Sequence, residues 1–114
     1  MLKISNKSIH EFRANIAKAL AHRTRMEIVD LLAEKKERCV GELTEILDVS
    51  QSAVSKHLST LKQAGIIASR KEGLKNYYYL EAPCIVDFFA CLDDILIKEL
   101  DQRKKEIKNI KGLK

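Results

Sequence analysis

The stretch Val49-Ser50-Gln51-Ser52-Ala53-Val54-Ser55-Lys56-His57-Leu58-Ser59-Thr60-Leu61-Lys62-Gln63-Ala64-Gly65 decides the fold. Val54, Leu58, Leu61 and Ala64 recur at i, i+4, i+7 and i+10, the period of a helix with one buried stripe. Ser50 stands before the stripe as an N-cap, and Gly65 follows it as a residue able to leave the helix in a left-handed conformation. The opposite face offers Gln51, Ser52, Ser55, Lys56 and Ser59 and contains no acid. A solvated surface helix usually shows Glu and Lys four residues apart. A face of small hydrogen-bonding groups and a cation instead suits a DNA major groove, where such groups read base edges or donate to phosphate.

The flanking sequence agrees. Val40, Leu43, Ile46 and Leu47 predict a short helix over 40–48, and Asp48-Val49-Ser50 is the length of a helix-turn-helix link. Downstream, Ile66–Lys71 and Asn76–Leu80 are rich in β-branched and aromatic residues. Gly73, in the intervening Glu72-Gly73-Leu74-Lys75, supplies the positive φ a tight turn needs. The fold class is therefore mainly α with a small β-hairpin, a winged helix-turn-helix. A first helix starts at Ser8 and carries Ile9, Phe12, Ile16, Ala19 and Leu20; a second carries Met26, Ile28, Val29, Leu31 and Leu32. Pro83 fits the first position of a last helix, whose broad apolar face holds Ile85, Phe88, Phe89, Leu92, Ile95, Leu96 and Leu100. Residues 1–7 read as a flexible arm and 101–114 as a polar tail that frays, leaving 1–114 as a single winged-helix DNA-binding domain.

The net charge of +5 is unevenly placed. Residues 49–80 hold five basic side chains against Glu72 alone, whereas 1–48 hold nine against eight and 81–114 seven against seven. The surplus lies where phosphates would lie, so the expected partner is a double-stranded DNA operator. Its contacts are assigned to Gln51, Ser52, Ser55, Lys56 and His57 on the recognition helix and to Arg70, Lys71 and Lys75 in the wing. A protein-binding winged helix would not need to stay cationic there. No Gly-rich phosphate loop, paired carboxylates or nucleophile motif supports an enzyme. No run approaches 18 apolar residues and no N-terminal apolar run suggests a signal peptide, so the expected location is cytoplasmic, away from membranes, with Cys39, Cys84 and Cys91 as reduced thiols.

Residues 10 to 98 resemble the ArsR/SmtB family of small dimeric repressors. The resemblance rests on Lys18-Ala19-Leu20-Ala21-His22-Arg23-Thr24-Arg25-Met26, where the family tends to have ALGDPTRL, and on Cys39-Val40-Gly41-Glu42-Leu43. It rests also on Ser52-Ala53-Val54-Ser55-Lys56-His57-Leu58 and on the wing ending Tyr78-Tyr79-Leu80. His22 and Arg23 depart from the family's Asp and Pro, so Thr24 is expected to cap the second helix. The resemblance implies a homodimer sealed by the first and last helices, through Phe12, Ile16, Phe88, Phe89, Leu92 and Ile95, on an inverted-repeat operator.

The same resemblance bears on control. Members that sense metals at the helix following Cys39 often carry ELCVCDL; here Gly41 replaces the second thiolate. The His-rich site that other members carry on the last helix has no counterpart, because that helix contains no histidine. Cys84 and Cys91 remain, but seven helical residues rise about 10.5 Å, too far for both sulfurs of one chain to hold one ion. Cys84, just after Pro83, is expected in a first helical turn, where the helix dipole favours thiolate. The effector is expected to be arsenite or another thiophilic metal ion acting at Cys39, Cys84 and Cys91. A redox or reactive-sulfur sensor using the same cysteines, cysteines that merely pack, and an effector-free protein-binding module stay open.

Overall fold

A computed structural model describes residues 6–112. The chain divides into two units, Met1–Pro83 and Cys84–Lys114.

In the first unit, α1 (Asn6–Leu20) begins inside the expected arm, so residues 6 and 7 are helical; the rest of that arm, 1–5, lies outside the described residues. α2 (Arg23–Glu34) buries Ile28, Val29 and Leu32. Its cap is His22, not Thr24. His22 has extended backbone, and its Nδ1 accepts the Thr24 N–H at 3.1 Å, replacing the side-chain oxygen that usually fills this role.

A strand absent from the sequence reading follows. β1 (Arg38–Cys39) pairs antiparallel with β3 (Lys75–Leu80), Arg38 opposite Tyr78 and Cys39 opposite Tyr77. Arg38 is buried, and its Nε donates at 2.8 Å to the Leu31 carbonyl, which also accepts the Lys35 N–H at the C-cap of α2. β2 (Ile67–Glu72) pairs with β3 from Ile67–Leu80 to Glu72–Lys75, and the sheet order is β1-β3-β2. The two-residue turn Gly73-Leu74 has φ +62° at Gly73 and a negative φ at Leu74, the sign pattern of a type II′ hairpin.

Between β1 and β2 lie α3 (Val40–Leu47) and α4 (Gln51–Gln63). Asp48 takes a left-handed conformation at φ 54° and turns the chain from one helix into the next. Ser50 Oγ caps α4 by accepting the Ala53 N–H at 3.2 Å, and Gly65 leaves it at φ +80°. Val54, Leu58 and Leu61 are fully buried and share the core with Leu20, Leu43, Ile66 and Ile67. Each such side chain contributes about 1.5–3 kcal/mol by leaving water. That stripe fixes the rotation of α4 and therefore which side chains it presents outward.

The second unit is dominated by α5 (Ile85–Ile110). Pro83 is not its first residue: Cys84 is the N-cap, and Asp87 N–H donates to the Cys84 carbonyl at 3.0 Å in the entering turn. The polar stretch after Leu100 continues the helix to Ile110, with Arg103 paired to Glu99 four residues back at 2.7 Å. An i,i+4 pair of this kind supports a polar helix end that would otherwise fray.

Candidate nucleic-acid interface

The stripe that buries Val54, Leu58 and Leu61 turns Gln51, Ser52, Ser55, Lys56 and Ser59 outward, and all five are exposed. Four of the five expected groove-reading residues thus occupy one acid-free face at the start of α4. His57 does not. It stands three residues from Val54 and one from Leu58, on the flank of the buried stripe, and its ring meets His22 at 4.4 Å between centroids. Burial first, then the charges of His22, Arg25 and Lys56, hold its imidazole below the ordinary value of 6.5. His57 therefore joins α4 to the cap of α2.

The wing separates its cations in the same way. Arg70 Nε donates to Glu37 Oε2 at 2.8 Å, a second guanidinium nitrogen meets Glu37 Oε1, and Nη1 donates to Glu72 Oε2 at 2.9 Å. Its guanidinium also lies 4.8 Å over the Tyr77 ring. The hydrogen bond Arg70 donates to Glu37, then the one it donates to Glu72, raises the Arg70 pKa, and Arg70 in turn lowers that of Glu37. Arg70 is thus engaged in bracing the wing against the segment before β1, where a phosphate contact was expected. Lys71 and Lys75 are exposed and make no ion pair among the described residues.

An open groove of about 300 Å³ brings Gln51 of α4 together with Lys75, Leu74 and Asn76 of the wing and Cys39, Val40 and Gly41 at the start of α3. The recognition helix and wing tip therefore share one surface. Leu74 at the tip is 99 % exposed, a feature the sequence reading passed over. Lys62 was likewise not singled out: its Nζ donates to Ser69 Oγ at 2.8 Å and fixes the far end of α4 to β2.

Of the expected dimer residues, Phe12, Phe88 and Ile95 are exposed, and Ile16, Phe89 and Leu92 half-buried. Cys84 and Cys91 are exposed free thiols; Cys39 is half-buried, its thiol 3.6 Å from Glu42 Oε1. The hydrogen bond from Lys35, ahead of that from the Cys39 N–H, lowers the Glu42 pKa. Among the described residues no three His, Cys, Asp or Glu side chains are grouped to hold a metal ion, and no helix is long and apolar enough to cross a membrane.

Comparison with known proteins follows the same lines. Residues 22–69 match the model of the bacterial regulatory protein arsR family. The uncharacterized HTH-type transcriptional regulator MJ1325 of Methanocaldococcus jannaschii is 37 % identical over 86 residues, covering 75 % of this chain and 97 % of that protein. The arsenic resistance transcriptional regulator ArsR1 of Pseudomonas putida is 43 % identical over 74 residues, 63 % of this chain and 58 % of that one. A homodimeric winged helix-turn-helix DNA-binding domain from Mycobacterium bovis, described as a possible ArsR-family transcriptional regulator, superposes with a TM-score of 0.73 at 28 % identity, covering 88 % of this chain and 94 % of the other. With the wing, the capped acid-free helix and these relatives in agreement, the chain belongs to the ArsR family of winged-helix transcriptional regulators.

Proposed function

We propose that this regulator is a cytoplasmic, homodimeric repressor that binds an inverted-repeat operator as a single functional domain. Gln51, Ser52, Ser55 and Lys56 enter the major groove, and Lys71 and Lys75 meet phosphate on either side of the wing turn. The observation that carries this reading is the continuity of the acid-free start of α4 with Lys75 across one groove. α1 and α5 supply the dimer seam, which the homodimeric relative supports. Selection from a pool of random duplexes tests the reading. The enriched sequences are expected to be inverted repeats with half-sites about 34–36 Å apart or a multiple of that. Failure to enrich any duplex would refute it.

Control is assigned to a thiophilic effector, arsenite or another soft ion ahead of oxidants, acting at Cys84 and Cys91 with Cys39. Two exposed thiols on α5 and the arsenic-resistance regulator among the relatives support this. Operator affinity is expected to fall when arsenite is added, by the equivalent of about 1–3 kcal/mol of coupling, and the response should vanish in Cys→Ser variants. An affinity unmoved by both arsenite and mild oxidant would make the cysteines structural.

A further inference from the structure

α2 begins against its own dipole. A helix N-terminus carries partial positive charge and favours acids, yet the first turn of α2 holds Arg23 and Arg25 and no acid. Arg23 pairs with Glu27 at 2.9 Å and lies open to water. Arg25 is half-buried, its Nε is closed off from solvent, and it makes no hydrogen bond or ion pair among the described residues. A guanidinium consists of donors only, and a buried donor left without an acceptor is destabilising. Its surroundings add cations instead of an acceptor. After burial, the charges of His22, Arg25 and Lys56 lower the His57 pKa, so this flank of α4 lies at positive potential.

An open groove of about 300 Å³ lies beside Arg25, where α1, α2 and the far end of α4 meet. Lys18, from the last turn of α1, lines it with Arg25, and Asn15 and Gln63 add amide donors from α1 and α4. Thr60 lines it too, but its hydroxyl donates to the Lys56 carbonyl at 3.2 Å. No acid lines the groove, and Lys18 makes no ion pair among the described residues. Two cations and two amides on three helices are the donor set of an oxyanion site. A metal ion finds no ligand charge there, and an apolar guest would leave the donors unpaired. A phosphate dianion matches the two cations in charge, and the arginine fork suits two of its oxygens. Thr60 and Gln63 stand nine and twelve residues past Gln51, about 14–18 Å further along the helix axis, so the groove lies away from the end of α4 that reads bases.

We propose that Lys18 and Arg25 bind a small phosphorylated ligand, inorganic phosphate or a phosphate monoester, in this groove, with Asn15 and Gln63 completing the donor set. The bound oxyanion ties α1 and α2 to the recognition helix. That the ligand comes from solution and not from DNA rests on the docking proposed above; the groove and its unpaired cations do not.

The test titrates the full chain with sodium phosphate, and separately with glycerol 3-phosphate, against chloride at matched ionic strength, following the Arg25 Nε–H resonance by NMR. One saturable site is expected, with the His57 ring titrating at higher pH once the ligand offsets the Arg25 charge. Lys18→Gln and Arg25→Gln should each weaken binding by about tenfold or more. Lys36→Gln, at an exposed lysine outside the groove, should leave it unchanged. Lys18 is itself exposed, so its substitution leaves the core intact. An Arg25 resonance that does not saturate, or a Lys18→Gln variant that binds as tightly as wild type, overturns the proposal. The salt slope of operator binding should be the same in Lys18→Gln as in wild type. A slope lowered by about 0.9 would identify DNA as the source of the phosphate and overturn the assignment to a small ligand.

Discussion

Lys56, Lys71 and Lys75 are three exposed ammonium groups with no ion pair among the described residues, whereas Arg70 in the same wing is held by two carboxylates. That contrast turns the docking into a quantitative expectation. Each phosphate neutralised adds about 0.9 to the slope of log affinity against log salt. Replacing all three lysines by Ala should lower the slope by about 2.7, so a rise from 50 to 200 mM salt should cost the variant about 40-fold less affinity than it costs wild type. Arg70→Ala should leave the slope unchanged, because its guanidinium is already neutralised within the chain. What it should change is the wing: amide exchange across 67–80 should quicken once the link to Glu37 is gone. Fluorescence anisotropy on one duplex at five salt concentrations reads the slopes, and exchange mass spectrometry reads the wing. A slope in the triple variant equal to that of wild type would refute the docking. A slope lowered by Arg70→Ala alone would mean that DNA displaces Glu37 and Glu72.

Three further outcomes are expected. His57 titrates below 6.5 in the folded protein, so the unfolded chain takes up its proton first; the stability this contributes is complete above pH 6.5 and is lost as pH falls through the folded value. Melting temperature should therefore drop between pH 7 and 5, and His57→Gln should flatten that drop; an unchanged profile would contradict the environment assigned to this ring. Leu58→Ala opens a cavity at a fully buried site and should lower the unfolding free energy in urea by about 2–5 kcal/mol, against less than about 0.5 kcal/mol for the exposed Ser59→Ala. Gly73→Val forces a β-branched residue to φ +62° at an open turn and should cost about 1–2 kcal/mol through backbone strain alone; a neutral result would show that the turn changes type.

What the sequence revealed and what it withheld divide by distance along the chain. α4, its Ser50 cap, its Gly65 exit and the Gly73 hairpin depend on residues within a few positions of one another, and periodicity exposes them. β1 does not: two residues have no period, and Arg38 and Cys39 become a strand only by meeting Tyr78 and Tyr77 about forty positions later. Arg70 was counted as a free cation because Glu37 lies 33 residues away. Charge counting is thus a guide to where cations gather but not to which remain unpaired; among the described residues Lys56, Lys71 and Lys75 of the expected set make no ion pair. His57 is a different case. Its position beside the Val54–Leu58–Leu61 stripe was readable, but its contact with His22 at the cap of α2, 35 positions earlier, was not. The cap of α2 escaped because imidazole is not among the usual capping side chains, although position 22 is where the family carries its Asp. The departures at His22–His57 and Arg70–Glu37 sit where a side chain reaches outside its own element, and they hold the recognition helix to α2 and the wing to the segment before β1 on the surface that helix and wing share. Rigidity of that surface therefore depends on the pairs least visible in the sequence, which is why the exchange and pH measurements bear on DNA binding as directly as the lysine substitutions do.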